Sequence, residues 1–184
     1  MTGREFLNRV SHGQGDLLQA FLDLLQARKV RFCLIGGLAV NAYAEPVVSL
    51  DVDVVIASEQ IERLIADLRD QFTVEPSSPS INLTSPLSDL RIQLQTDPRY
   101  QSFIERATVK EVLGYQLPVA RIEDVLQGKI WAATDAARRP SKRQKDLADI
   151  ARLIEVEPRL RKLLPDSLAR QLVPESLTRH LVGR

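Results

Sequence analysis

The chain has 184 residues, 44% of them apolar, and its 25 Lys and Arg residues almost balance its 24 Asp and Glu residues. This composition, with a single cysteine, excludes a disordered, collagenous, disulfide-rich or membrane-spanning protein. Because Cys33 has no partner cysteine and no signal-peptide pattern is present near Met1, we expect a cytoplasmic protein with one main core.

The first half of the chain alternates between helical and extended patterns. Leucines at helical spacing predict an N-terminal helix over about residues 15–29, and β-branched runs predict strands further on. The elements expected after that helix are a strand at 30–35, a short helix at 38–44, a strand at 47–57 and a helix at 58–72. This order is typical of an α/β sheet.

The second half is predicted to return to the sheet and then to become helical. The expected segments are loops at 76–80 and 84–86, a strand at 90–95, a helix at 100–107 and an extended piece at 116–120. From Arg121 onward the pattern is helical almost to the end. We therefore predict an α/β core over residues 1–120 and a helical C-terminal region over residues 121–184 that packs on it.

Two carboxylates stand two residues apart within the strand at 47–57. Side chains alternate across a strand, so Asp51 and Asp53 face the same side, with α-carbons ~6.5 to 7 Å apart. Two like charges this close beside an apolar strand repel each other and resist desolvation unless a cation lies between them. The pattern favours a divalent metal with oxygen ligands, and a solvent-facing strand with two unrelated Asp residues is the alternative.

A pair of glycines precedes these carboxylates. Gly36-Gly37 follows the first strand and opens a helix, and thirteen residues separate Gly37 from Asp51. Glycines at such a turn let the backbone approach a phosphate closely, and the helix N-terminus offers unpaired N–H groups. A Gly-Gly pair alone indicates no more than a tight turn, so its weight comes from the spacing to Asp51.

The combination of Gly-Gly, thirteen residues and Asp-x-Asp resembles the nucleotidyltransferase superfamily related to DNA polymerase β. Two later segments, residues 118–129 and 143–150, are similar to its AbiEii-type abortive-infection branch, and the resemblance spans about residues 30–153. It implies a mixed sheet flanked by helices (α+β), in which the glycine turn holds the triphosphate of a nucleoside triphosphate (NTP). It also implies that Asp51 and Asp53 bind Mg²⁺ or Mn²⁺.

Lys129 has an unusual position on its predicted helix. It lies near the centre of the apolar stripe that contains Leu126 and Ala133, where an ammonium is costly unless it meets an anion or extends to solvent. The resemblance implies that this lysine supports the nucleotide site, which would supply the anion. A lysine that snorkels at the edge of a core helix is the alternative.

A cationic segment introduces the last long helix. Residues 138–145 contain five cations, and Ser141 with Gln144 fits a capping box that predicts a helix from Ser141 to about Glu155. The positive end of a helix disfavours further positive charge, so this cluster calls for anions such as a triphosphate or an RNA backbone. A solvated basic loop is the alternative.

Two acids follow on the same helix. Asp146 borders the apolar stripe, whereas Asp149 is expected to face farther out. The Lys-Asp-x-x-Asp pattern of the branch matches Lys145, Asp146 and Asp149, which implies that Lys145 helps to bind the nucleotide and that Asp146 positions the acceptor or acts as base. Surface pairing of Lys142 with Asp146, or of Lys145 with Asp149, is the alternative.

The strand at 90–95 departs from the superfamily pattern. A third carboxylate is usual on the strand beside the Asp-x-Asp strand, and the matching position here is Gln93. A neutral amide cannot take a proton from an attacking hydroxyl and is a weaker magnesium ligand than a carboxylate. Asp89 and Asp97 each lie four residues away, ~13 Å along the strand, so neither substitutes for it.

These residues support a Mg²⁺-dependent nucleotidyltransferase that moves a nucleoside monophosphate from an NTP to a hydroxyl of RNA (tRNA included), of protein or of a small molecule. The implied catalytic set is Asp51, Asp53, Lys129 and Asp146, and the nucleotide-binding set is Gly36, Gly37, Lys129 and Lys145. The alternative is a catalytically degenerate nucleotide- or RNA-binding module, because of Gln93. The branch resemblance also implies a toxin–antitoxin component with a cognate antitoxin or regulator; no membrane partner is expected, and the oligomeric state is open.

Overall fold

The computed structural model describes residues 1–172 of the chain. In chain order, strands β1 to β7 of this part are Phe32–Ile35, Asp51–Ile56, Thr73–Ser77, Ser80–Ser85, Ser88–Gln95, Thr108–Val112 and Tyr115–Val119. Helices α1 to α8 are Gly3–Val10, Leu17–Ala27, Gly36–Val40, Ile61–Leu68, Gln101–Arg106, Ile122–Thr134, Pro140–Val156 and Asp166–Leu172. Short 3₁₀ turns lie at Ser58–Gln60, Pro98–Tyr100 and Pro158–Leu163.

The strands form one mixed sheet in the order β3-β4-β5-β2-β1-β7-β6. β2 runs parallel to β5, and β1 runs parallel to β7, whereas the other neighbouring pairs are antiparallel. A mixed sheet accompanied by helices confirms the predicted α/β class and the arrangement implied by the resemblance.

β2 lies in the middle of the sheet because its sequence alternates at first and then becomes wholly apolar. The two valines and the isoleucine of one face are fully buried, and so is Val55 on the other face. Asp51 and Asp53 precede Val55 on that second face and remain partly exposed. Only the beginning of β2 therefore opens to a cleft, while its end belongs to the core.

Helices α6 and α7 form the side of the cleft that faces the beginning of β2. They pack against each other and against α3, which follows β1 directly. Apolar residues on both helices are buried, with Leu126 and Ile130 on α6 and Leu147 and Ile150 on α7. This packing brings the charged residues that lie between those apolar positions to the cleft.

Three segments of the sheet and helix pattern differ from the sequence-based predictions. The stretch at 76–80, predicted as a loop, lies in the β3–β4 hairpin, and Pro76 is tolerated because β3 is an edge strand that needs no partner on its outer side. α1 was not expected, although Thr2 and Glu5 form a capping box at its start. The edge strand β6 was not expected either, because its five residues are mostly polar.

The capping box predicted at Ser141 is wrong. α7 begins at Pro140 with Arg139 as its N-cap, so Ser141 lies within the first turn. Proline is favoured at the first helical position because it lacks the N–H group that would stay unpaired there.

The region after residue 121 is helical throughout its described part, apart from short connections. Residues 173–184 of the predicted helical region lie outside the described residues. Among residues 1–172, no helix combines the length and the apolar character that a membrane span requires.

Candidate functional site

The two carboxylates of the Asp-x-Asp pattern lie together at the beginning of β2. The parallel pairing of β2 with β5 places Asp51 opposite Arg91 and Asp53 opposite Gln93. Gln93 therefore occupies the neighbouring-strand position at which a third carboxylate was expected. The structure brings Asp51, Asp53 and Gln93 to one side of the sheet, next to the glycine turn.

Asp53 lies directly against Gly36. The Gly36 backbone has a φ of 71°, in the left-handed region, and a Cβ at this position would come within 2.8 Å of the Asp53 side-chain carbons. Glycine is thus required here both by conformation and by space. Burial raises the pKa of Asp53 to about 6, Lys129 opposes this increase, and Asp51 adds to it.

Asp51 is held by cations from two elements. Lys142 Nζ on α7 donates a hydrogen bond to Asp51 Oδ2 at 3.0 Å, and Arg91 on β5 lies 3.7 Å from Asp51 Oδ1. The ammonium of Lys142 therefore lies where a cation bound to Asp51 would compete with it. Neither the Lys142–Asp146 pair nor the Lys145–Asp149 pair considered from the sequence is formed.

Lys129 meets two acids at the interface of α6 and α7. Its Nζ lies 3.1 Å from Asp146 Oδ1 and 2.7 Å from Asp149 Oδ2, and its residue is only 8% exposed. Burial alone would lower the pKa of Lys129, but Asp149 and Asp146 raise it, so the ammonium stays protonated. The anion that the helix pattern called for is therefore supplied by the protein itself. Asp149 is more exposed than Asp146, as expected, but it also contacts Lys129.

Asp146 is almost completely enclosed, with 2% of its surface exposed. Arg138 donates to its Oδ2 at 2.8 Å, while Lys129 donates to its Oδ1. Since both oxygens accept hydrogen bonds from cations, this carboxylate is poorly suited to take a proton from an acceptor. The geometry favours a positioning role for Asp146 over the role of a base.

Hydrogen bonds fix the orientation of the Gln93 amide. Ser80 Oγ donates its one hydrogen to the carbonyl oxygen of Ser77 at 2.7 Å, so it can only accept from Gln93. Gln93 Nε2 fills that role at 2.7 Å, which leaves Gln93 Oε1 as the group not bound by Ser80. A neutral amide thus stands on the strand beside Asp53, in place of the expected carboxylate.

Several compartments of the cleft border these residues. Arg138 lines four of them, and Lys142 lines both of those that contain Asp51. The compartment that reaches Gly37 is also lined by Asp51, Asp53, Lys129 and the exposed Lys145. Another, lined by Gln93, Tyr100, Trp131 and Asp135, opens on the opposite side of Arg138.

Sequence reasoning assigned no individual role to three residues that shape the site. Arg91 stands two residues before Gln93 on the same face of β5, so strand alternation was a usable signal. Arg138 was considered only as a member of the cationic cluster, and Lys142 only as a member of that cluster or as a surface partner of Asp146. Their separate contacts with Asp146 and Asp51 depend on how α7 packs against the sheet.

Comparison with known proteins identifies the fold. No protein-family model and no curated protein matches the sequence. A nucleotidyltransferase-like protein from Paracoccidioides brasiliensis is similar in structure at 17% identity, with a TM-score of 0.57 over 94% of this chain and 90% of that one. The antibiotic-resistance factor ANT(2'')-Ia with adenylyl-2''-tobramycin is similar at 15% identity, with a TM-score of 0.56 over 89% and 97% of the two chains.

The lincosamide antibiotic adenylyltransferase LnuA with bound lincomycin is a third similar structure. It shares 13% identity, with a TM-score of 0.54 over 77% of this chain and 99% of that one. At such identities the similarity establishes the fold and not the activity. The chain has a nucleotidyltransferase-like fold.

Proposed function

We propose that this protein is a Mg²⁺-dependent nucleotidyltransferase that moves a nucleoside monophosphate from an NTP to an acceptor hydroxyl. The observation that carries the proposal is the Asp51–Asp53 pair on β2, packed against the Gly36–Gly37 turn in a nucleotidyltransferase-like fold. The resemblance of residues 118–129 and 143–150 to the AbiEii-type branch is a further, finer part of the proposal.

The donor set of the site fits a hard divalent cation. Asp51, Asp53 and Gln93 Oε1 offer only oxygen atoms, and Mg²⁺ is commonly held by one or two carboxylates together with substrate phosphates. Within residues 1–172 no cluster of three or more His, Cys, Asp and Glu side chains forms a complete protein cage. Asp51 and Asp53 would therefore supply only part of the ligands of the ion.

When bound, Mg²⁺ would neutralise charge on the phosphates during phosphoryl transfer. Asp51 and Asp53 would hold the ion, and the backbone at Gly36 and Gly37 would admit the phosphates at close range. Lys142 would leave Asp51 for a phosphate oxygen, with Lys145 beside it on the rim. Both cations add to the positive charge facing the leaving pyrophosphate.

The other charged residues would position the reactants. Lys129 and Asp146 join α6 to α7, so they hold the α7 cations opposite β2. The acceptor oxygen forms a bond to the α-phosphorus as the bond to pyrophosphate breaks, and the proton of the acceptor passes to solvent. Positioning and charge neutralisation supply most of the rate increase in such transfers.

The acceptor is the open part of the proposal. LnuA and ANT(2'')-Ia were solved with lincomycin and adenylyl-2''-tobramycin, and this chain spans nearly their whole length, which supports a small-molecule acceptor. The cationic cluster of residues 138–145 supports RNA, tRNA included, and protein is the third class. A toxin role with a cognate antitoxin predicts growth arrest on expression that Asp51→Ala relieves.

The proposal is tested by label transfer from each α-³²P NTP, with Mg²⁺, into RNA, protein and small molecules of a cell extract. We expect label in one pool, lost in Asp51→Ala. Asp89→Ala is the matched control, because Asp89 is exposed on the same sheet and pairs only with His12 among the described residues. Absence of label with all four nucleotides would contradict the proposal.

A binding module without catalysis is the second candidate. Two observations favour it. Gln93 places an amide where a third carboxylate was expected, and the ammonium of Lys142 is already bound to Asp51. Gln93→Asp separates the two candidates. A large gain of transfer activity would favour a degenerate site, whereas little change would show that the acid is dispensable here.

A further inference from the structure

Two exposed valines lie beside the candidate metal site. Val47 is 55% exposed and Val48 is 50% exposed, although most large apolar side chains of the described chain are buried. They belong to the segment between α3 and β2, just before Asp51. Apolar side chains left open in a concave polar site are characteristic of ligand contact surfaces.

The segment that carries these valines is fixed in place. Asn41 donates to the carbonyl oxygen of Val47 at 2.8 Å and accepts from the Val47 N–H at 3.0 Å. Arg152 on α7 donates to Asn41 Oδ1 at 3.0 Å and also to the carbonyl oxygen of Glu45. The exposed valines therefore stand on a braced backbone, and their exposure is a built feature of the cleft.

The compartment that holds Val47 and Val48 is lined by two kinds of group. Gly37, Asp51 and Lys145 suit phosphates and their cation, whereas Val47, Val48 and Ala148 of α7 offer apolar surface in the same lining. A ligand that complements both kinds of group carries a phosphate chain and a flat apolar group.

We propose that Val47, Val48 and Ala148 form the subsite for the nucleobase of the NTP. This inference rests on the proposed function, because the phosphates must lie at the Gly36–Gly37 turn for the base to reach the valines. The occupant is a planar base whose faces are contacted by aliphatic side chains. Its binding energy comes from apolar contact area.

Two polar side chains that line this compartment with the valines, Ser49 and Arg152, already form hydrogen bonds within the protein. Ser49 Oγ is bonded to the backbone of Asp51, and Arg152 is bonded to Asp149, Asn41 and Glu45. The subsite therefore selects bases by size more than by hydrogen bonding. ATP and GTP are expected to bind within about threefold of each other, and both more tightly than UTP and CTP.

Calorimetric titration of the full chain with ATP and with inorganic tripolyphosphate, both with Mg²⁺, tests the subsite. In the double variant Val47→Ser with Val48→Ser we expect ATP to bind about five- to tenfold more weakly and tripolyphosphate to bind as in the wild type. Val109→Ser is the control, because Val109 is 67% exposed on the edge strand β6, far from the lining of the cleft.

The possible results separate this inference from the proposed function. ATP affinity of the double variant within twofold of the wild type, or an equal loss for tripolyphosphate, would overturn the base subsite and leave the proposed function standing. Failure of the wild type to bind any of the four NTPs would overturn both. Because exposed Val→Ser changes alter stability by only ~0.5 kcal/mol, a thermal melt of each variant shows that a loss of affinity is not a loss of fold.

Discussion

Gly36 shows how a single residue sets the distance between the turn and the carboxylates. We predict that Gly36→Ala destabilises the protein by about 1 to 3 kcal/mol and abolishes nucleotide binding, because a Cβ there meets Asp53 and its φ is 71°. Gly15→Ala is the matched control, since Gly15 is exposed, lies outside the cleft and has no atom within 4 Å of the position that a Cβ would take. Urea unfolding and ATP titration measure both effects, and equal behaviour of the two variants would contradict the account.

Asp53 makes stability depend on pH in the absence of metal. Its pKa in the folded protein is about 6, above the ordinary value of 3.8, so the folded state binds the proton more tightly than the unfolded state does. Stability from this group is therefore greatest at low pH and declines as pH rises from about 3.8 through 6. At neutral pH the ionised carboxylate costs as much as about 3 kcal/mol, at 1.36 kcal/mol per pKa unit.

We predict that Asp53→Asn stabilises the protein at pH 7.5 in EDTA, and that the gain falls to about half at pH 5. Urea unfolding at the two pH values measures it. If Asp53→Asn were less stable than the wild type at pH 7.5, the ionised Asp53 carboxylate would not destabilise the folded protein, and the account would be contradicted.

At the scale of elements, the pairing of α6 with α7 depends on buried charge. Lys129 on α6 joins Asp146 and Asp149 on α7, which Arg138 and Arg152 also contact. We expect Lys129→Met to lower the unfolding free energy by about 1 to 3 kcal/mol. The loss is smaller than for a buried charge with no partner, because Arg138 still contacts Asp146 and Arg152 still contacts Asp149. Lys162→Met, at an exposed position, should change it by less than ~0.5 kcal/mol. Identical unfolding midpoints for the two variants would refute this role of Lys129.

The elements that the sequence predicts well are those whose pattern matches their burial. β5 alternates clearly and β2 is rich in β-branched residues, so both strands could be predicted, whereas the position of Gln93 beside the Asp-x-Asp strand was implied by the family resemblance. The β3–β4 hairpin could not, because its prolines and serines are turn residues unless an edge position tolerates them. β6 was missed for a related reason, since exposed edge strands lack an apolar face.

The site itself was only partly predictable. The nearness of Asp51, Asp53 and the glycine turn follows from local pattern, whereas the pairing of Lys142 with Asp51 joins residues that are 91 positions apart. A helical wheel places Asp149 farther out than Asp146, but it does not show the lysine of a second helix that contacts both acids. Contacts of this kind depend on tertiary packing.

At the scale of the whole molecule, the cationic beginning of α7 lies opposite the acidic beginning of β2, and Lys142 contacts Asp51 across the cleft. We retain the division near residue 120 as a proposal, in which the cleft lies between the α/β core and the helical region. Lys142 spans this cleft and contacts Asp51, so it would compete with the metal ion that we propose binds there. Lys142→Met should bind Mn²⁺ about threefold more tightly in the absence of nucleotide, as expected for loss of an exposed ion pair, and ATP more weakly. Tighter binding of ATP by this variant would contradict the proposed contact with phosphate.

The most direct test of the account is Mn²⁺ binding measured by electron paramagnetic resonance in the presence of ATP. We compare the wild type with Asp51→Asn, Asp53→Asn and the surface control Asp89→Asn. The account predicts that the wild type and the control bind Mn²⁺ with ATP equally well, and that each cleft variant binds it at least about tenfold more weakly, since each removes a charged ligand. Equal binding by all four proteins would show that these carboxylates do not hold the metal–nucleotide complex.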